Sequence, residues 1–322
     1  MSARPPFIVH ATEVTPTVTE RFGEAFAPAR AIGKQAGLRR IGLHVTTVAP
    51  GVRTGLPHAE ADEEEFVYVA AGEVDAWLDG DVHRLRAGDL VALPAGTGIA
   101  HTFVGGGASA ATLVVGGECD KRHNRTWYPL DEAARAAQVW SRAWTPPPTP
   151  PRFDGRPPYV LAADSVAEQR WTYPDSAELL NPGRAIGAAA GLVRIGLHLE
   201  RVVPGSRTSW PHAESDEEEF VYVLAGEVDA WIDGDLHRMR AGDLAAFPAG
   251  TGISHAFLAC GEADALLLAG GEASKPTNRI VYPLDLSRRP QVPWSQWWDD
   301  APARPLGPHD GMPYGAISAG PR

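Results

Sequence analysis

The sequence repeats itself. Leu56-Pro57-His58-Ala59-Glu60 returns as Trp210-Pro211-His212-Ala213-Glu214, Glu65-Phe66-Val67-Tyr68-Val69 as Glu219-Phe220-Val221-Tyr222-Val223, and Pro94 to Ile99 as Pro248 to Ile253, always 154 residues on. From Pro57 to Phe103, 38 of 47 positions match their partners, too many for chance similarity between two stretches of like composition. The same shift relates Arg40-Ile41-Gly42-Leu43-His44 to Arg194-Ile195-Gly196-Leu197-His198, Tyr128-Pro129-Leu130-Asp131 to Tyr282-Pro283-Leu284-Asp285, and Trp140 to Trp294. A unit of this length is far longer than a solenoid repeat, so each copy should form a domain with its own core. The chain of 322 residues has room for two. We place a first domain at 1–145, a Pro-rich linker at 146–157, a second domain at 158–300 and a Pro/Gly-rich tail at 301–322. The seam Pro146-Pro147-Pro148-Thr149-Pro150-Pro151 should run extended, because proline supports neither helix nor ladder. The tail is expected to strap a domain surface, with disorder as the competing reading.

Within a copy, short apolar runs alternate with Gly, Pro and Asp-Gly punctuation, the pattern of strands joined by tight turns. Ile41 to Val45, Phe66 to Val69, Val74 to Leu78, Val82 to Leu85, Leu90 to Leu93, Ile99 to Val104 and Ala111 to Val115 all read as strands. Asp79-Gly80 is a strong hairpin signal, since glycine accepts the positive φ the turn needs. The 34 glycines and 29 prolines agree with a turn-rich chain. With no long amphipathic helix between the runs, the fold class is all-β, a sandwich or barrel in each copy. Minor peripheral helix is expected at Asp131 to Gln138, where an acidic cap precedes alanines.

A formal charge of −11 repels phosphate backbones and anionic membrane surfaces, so neither nucleic acid nor membrane is an expected partner. No apolar run is long enough to span a bilayer, and residues 1–9 lack a signal peptide's apolar stretch, so the expected address is cytoplasmic. Cys119 and Cys260 do not repeat between copies, and two cysteines in a chain this long exclude a disulfide scaffold.

Each copy carries the equivalent of His58-x-Glu60-x4-Glu65-x6-Gly72, followed by Gly88-x5-Pro94-x-Gly96-x4-His101. Two residues apart on a strand, His58 and Glu60 would project from one face. Glu65 and His101 each open a further strand, so four ligand-type groups can converge inside a small barrel. Two imidazoles with one or two carboxylates suit a divalent transition metal, Zn, Fe, Mn or Ni, better than Ca or Mg. The candidate metal ligands are His58, Glu60, Glu65 and His101, with His212, Glu214, Glu219 and His255 in the second copy, one ion per domain. Glu60 and Glu214 are read three ways: ligand, acid/base or substrate contact, and surface carboxylate.

These motifs resemble those of the cupin superfamily, and the tandem arrangement resembles a bicupin. The family pattern is Gly-x5-His-x-His-x(3 or 4)-Glu-x6-Gly, then Gly-x5-Pro-x-Gly-x2-His-x3-Asn. The resemblance spans residues 38–131 and 192–285 and implies two double-stranded β-helix (cupin/jelly-roll) barrels, with His58, Glu65, His101 and their counterparts at metal-ligand positions. Four departures stand out. Glu60 and Glu214 replace the second histidine. Gly51 and Gly205 sit one residue farther from their histidine, the Pro-x-Gly turn is followed by four residues instead of two, and Gly105 and Ala259 fall where the family has asparagine.

Of the remaining residues, His44 and His198 read as structural, with a hydrogen bond to a metal ligand as the alternative, His83 and His237 as solvent-facing, and Trp77 and Trp231 as core or interdomain packing, with a pocket wall as the alternative. Phe103 and Phe257 share strand parity with the last histidine and are candidates for an apolar pocket wall; Arg53 and Arg207 have the wrong parity for a substrate contact. The expected function is a metal-dependent enzyme acting on a small oxygenated metabolite, and the resemblance leaves dioxygenase, decarboxylase, isomerase and lyase chemistry open. The competing reading is a non-catalytic bicupin that binds or senses a small ligand. A homo-oligomer, or a pseudo-dimer of the two copies, is compatible with the sheet edges that such barrels expose.

Overall fold

Alternate side chains along a strand face opposite ways, and from Phe66 to Val69 both faces are buried, so the run reads as continuously apolar. A computed structural model, describing residues 4–119, 122–137, 142–147, 153–293 and 296–315, shows what lies on either side. Val67 and Val69 enter a barrel core with Val48, Val74, Leu85 and Leu113. Phe66 and Tyr68 point the other way, into an apolar layer shared with Phe220, Tyr222, Leu197 and Leu244 of the second copy.

Each copy is an antiparallel barrel of two sheets. The larger sheet of the first copy has the order Val160–Ala162, Asp89–Leu93, Glu65–Ala71, Ala111–Glu118, Ile41–Val48, Ala29–Arg30, and the smaller has His101–Gly105, Glu73–Leu78, Asp81–Arg86. The second copy repeats this with Ile8–His10, Asp243–Phe247, Glu219–Ala225, Ala265–Glu272, Ile195–Val202, Pro182–Arg184 and Gln169–Arg170, faced by Asp235–Arg240, Glu227–Ile232 and His255–Leu258. The edge strands are exchanged. Ile8–His10 pairs with the second copy, Ile8 opposite Ala245, while Val160–Ala162 pairs with the first, Val160 opposite Val91. Accordingly Ile8 lies in the second barrel's core and Val160 in the first's.

The outer faces of the two larger sheets pack on each other as a pseudo-dimer. The Phe66 and Phe220 rings stack at 6.4 Å with planes 13° apart. Each lies over a glycine on the neighbouring strand: a Cβ at Gly116 would stand 2.4 Å from Phe66, and one at Gly270 would stand 2.7 Å from Phe220. Only glycine leaves room for those rings. Glu64 and Glu218, almost fully buried, clasp the interface reciprocally. The Glu64 carboxylate accepts from the backbone N–H groups of Val193, Arg194 and Ile195 at 2.9–3.2 Å. The Glu218 carboxylate accepts from those of Arg39, Arg40 and Ile41 at 2.8–3.1 Å. Arg40 also pairs with Asp216 at 2.9 Å and Glu272 at 2.7 Å. Being partly solvated, those pairs contribute less than the buried carboxylates.

The tail through residue 315 lies along the second barrel. Arg304 pairs with Asp233 at 2.5 Å, His309 N–H donates to the Gly234 carbonyl at 3.0 Å, and Trp231 Nε1 donates to the His309 carbonyl at 2.9 Å. In the linker, Pro148–Pro151 lie outside the described residues, as do Gln138, Trp140 and Trp294. The helix Glu132–Ala137 is capped by Asp131, whose carboxylate accepts from the Ala134 N–H at 2.7 Å. Its counterpart, Leu286–Gln291, is a 3-10 turn with Pro290 where alanine stood. One expectation fails: His237 is buried, because its side chain shares the barrel-facing side of the small sheet with Met239. No helix among the described residues is long and apolar enough to cross a membrane.

Removing either buried carboxylate strands three N–H donors. Glu64→Ala and Glu218→Ala should each destabilise the chain by about 3 kcal/mol, measured by urea unfolding, whereas truncating the half-exposed Arg40 should cost under about 1 kcal/mol.

Candidate metal centre

In each barrel two histidines are locked together by the backbone before their side chains meet anything. His58 and His101 exchange N–H···O bonds of 3.3 and 2.9 Å across an isolated antiparallel bridge, and His212 and His255 do the same at 3.2 and 2.9 Å. The loop that delivers His101 turns through Gly98 at φ +78°, and its equivalent through Gly252 at +69°, a region that side-chain-bearing residues avoid. The next residues are pinned by the hairpin aspartates. Asp79 accepts from the Ala100 N–H at 2.8 Å, and Asp233 from that of Ser254 at 2.9 Å.

The ring orientations follow. Nδ1 of His58 lies 2.8 Å from the Leu56 carbonyl, and Nδ1 of His101 lies 3.2 Å from that of Ile99. Nδ1 of His212 and His255 meet the Trp210 and Ile253 carbonyls at 2.8 and 3.2 Å. A carbonyl only accepts, so each Nδ1 carries the proton and each Nε2 presents a lone pair inward, the tautomer in which metal-binding histidines are held. Glu65 and Glu219 open the adjoining strand on its barrel-facing side. Glu65 Oε2 is 3.3 Å from His101 Nε2; Glu219 Oε2 is 3.3 Å from His255 Nε2 and 3.8 Å from His212 Nε2.

The ligand atoms of His58, Glu65 and His101 lie within 4.8 Å of one another, as do those of His212, Glu219 and His255. Two neutral imidazoles and a carboxylate, preset and mostly buried, fit a divalent transition metal. Glu60 and Glu214 stand beside these triads. Their nearer oxygens are 3.6 Å from His58 Nε2 and 4.0 Å from His212 Nε2, while the other oxygen accepts from Asn124 in the first copy and Asn278 in the second. Asn124 also donates to Glu63 at 3.0 Å.

The electrostatics of the second triad are those of a site that trades protons for a cation. Burial alone would raise the Glu219 carboxyl, but His212 and His255 hold it well below the usual carboxylate range. Burial would lower His212, yet the Glu219 hydrogen bond and the Glu219 and Glu214 charges lift it to about 9. Burial first, then Glu219, pushes Glu214 up to about 7.

Three groups escaped sequence reasoning: Asn124/Asn278, Asp79/Asp233 as supports for the histidine loop, and Tyr128/Tyr282, whose rings lie 6.1 Å from His58 and 6.2 Å from His212. Their signal was recurrence at the common offset. Phe103 and Phe257 are buried in the barrel cores, with Phe103 6.2 Å from His101. Arg53 pairs with Glu24, and Arg207 with Glu178 at 2.7 Å. His198 stacks on Trp171.

A sequence profile of the cupin domain matches residues 44–116 and 198–270. The chain is also 33% identical over 109 residues to Protein SchB of Streptomyces halstedii, covering 34% of this chain and 73% of SchB. The chain belongs to the cupin family. Among solved structures, this bicupin resembles the oxalate decarboxylase of Lactobacillus farciminis in its formate complex, with a TM-score of 0.57, 14% identity and coverage of 91% and 92% of the two chains. It also resembles a salicylate 1,2-dioxygenase of Pseudoaminobacter salicylatoxidans bound to gentisate, with a TM-score of 0.54, 14% identity and coverage of 81% and 83%. These likenesses establish the tandem barrels.

Two outcomes are expected. His58→Ala or His212→Ala should lower bound metal from one ion per copy to one per chain by elemental analysis, with the other centre retained. Because a cation must displace the His212 proton, uptake by the second centre should weaken as pH falls below about 9, by up to roughly tenfold per unit per proton released; competition titrations on His58→Ala protein from pH 6 to 9 measure it.

Proposed function

We propose that this bicupin is a metal-dependent enzyme acting on a small oxygenated metabolite, of dioxygenase or decarboxylase/isomerase/lyase type. The observation that carries the reading is the pair of triads whose imidazole tautomers are fixed by backbone carbonyls, so that the lone pairs converge on a half-buried carboxylate. His58, Glu65 and His101 would hold one ion and His212, Glu219 and His255 another. A bound divalent transition metal supplies Lewis acidity toward a substrate oxygen, with redox chemistry available to iron.

The chain's own residues supply the rest. Asn124 and Asn278 each grip one oxygen of the adjacent carboxylate, leaving the other toward the imidazole edge, where Glu60 or Glu214 can hold or move a substrate proton. Buried walls such as Phe103 and Leu93 limit water around that exchange. The two solved relatives are named for chemistry on salicylate and oxalate, both small oxygenated carboxylates, which supports the substrate class; at 14% identity they leave the individual substrate open.

The test is to identify the metal of purified protein and then assay oxygen uptake and carbon dioxide release over a panel of small hydroxy, keto and aromatic carboxylates. Turnover that depends on the metal and falls at least about a hundredfold in the Glu60→Gln, Glu214→Gln double variant, with metal content retained, supports the reading. Metal-loaded protein that binds panel members without turnover shifts it to the non-catalytic ligand-binding role.

A further inference from the structure

The two centres share their ligand positions but not their surroundings. Where the second copy has Tyr173, Trp210 and Phe247, the first has Thr19, Leu56 and Leu93. Tyr173 stacks on Trp210 at 3.8 Å and meets Tyr282 edge-on at 5.8 Å, and Trp210 meets Tyr282 edge-on at 6.1 Å. Phe247 lies flat on His255 at 3.6 Å, and the Arg288 guanidinium covers Trp210 at 3.5 Å.

The first copy lacks these rings, and its tyrosine is left differently placed. Tyr128 packs with Phe26, Leu56 and Ala134, is 2% exposed, and lies over His58 with ring planes 30° apart. Its hydroxyl is buried with no hydrogen-bond partner among the described residues. A phenol keeps its proton at neutral pH, so the oxygen can donate. A buried donor without an acceptor is costly, and such a group in a native structure calls for a partner, which a water, an ion or a bound ligand can supply.

We propose that Tyr128 donates a hydrogen bond to an oxygen of the bound substrate, and that the first centre is the one that admits it, the equivalent tyrosine of the second centre being covered by the Tyr173 and Trp210 rings. The proposal rests on the reading of the triads as metal centres. It assigns the first pocket a small ligand bearing a carboxylate or other oxyanion beside the metal.

Two measurements test it. In the ligand-free protein, Tyr128→Phe removes an unpartnered polar atom and should melt at or above the wild-type temperature. Protein reconstituted with Co²⁺ is then titrated with glycolate and with malonate while its visible absorption is followed. Wild type and His212→Ala, which keeps the first centre, should respond; His58→Ala, which keeps the second, should not. Tyr128→Phe should retain its Co²⁺ and bind at least about tenfold more weakly, and Tyr282→Phe should bind as wild type. Unaltered binding in Tyr128→Phe, a response that resides in the second centre, or no response to either acid in Co²⁺-loaded protein overturns the proposal. Failure of the chain to take up Co²⁺ at all overturns the metal reading beneath it.

Discussion

Two consecutive carboxylates at the entry to one strand do opposite work in this molecule. Glu64 turns outward and accepts three backbone N–H groups from the other copy; Glu65 turns inward toward His101. Glu218 and Glu219 repeat the arrangement. Neither charge survives burial without its partners. The N–H groups that Glu64 receives belong to the residues entering Ile195–Val202, a strand hydrogen-bonded to Ala265–Glu272, which in turn pairs with the strand that Glu219 opens. Docking of the copies and placement of the ligands are thus parts of one ladder, offset by a single residue.

The same alternation explains why the larger sheets are apolar on both sides. One face fills a barrel, the other fills the shared layer, and the Phe66 and Phe220 rings need Gly116 and Gly270 beneath them. Solvent-facing polarity is left to the smaller sheets, where Arg84 pairs with Asp75 and Arg238 with Asp229 across the hairpins. The acidic surplus of the chain therefore divides between solvated hairpins and a few buried carboxylates with dedicated partners.

How much of this was legible follows from which features are local. The duplication, the strands and the His58, Glu65, His101 grouping are written in spacing, and the fold brings them together. Glu64 sits in the run Asp62-Glu63-Glu64-Glu65, which reads as a solvated face because nothing nearby announces the N–H groups of Val193 to Ile195. Asn124 comes from more than sixty residues away in sequence, so its grip on Glu60 had only its recurrence as a signal. The exchange of Ile8–His10 and Val160–Ala162 is likewise invisible, since an edge strand carries the same apolar pattern whichever sheet it completes. His237 misled because a position beside an Asp-Gly turn usually faces water, and here it shares the inward side of the small sheet with Met239.

The exchanged edge strands also bear on how the pockets can change. An assembly of two separate identical subunits must carry every substitution twice, so its cavities stay alike. Here each half lends a strand to its sibling while being encoded apart from it, which preserves the twofold geometry and releases the two interiors from sameness. Three positions, Thr19, Leu56 and Leu93 in one half against Tyr173, Trp210 and Phe247 in the other, then give one chain two different chambers.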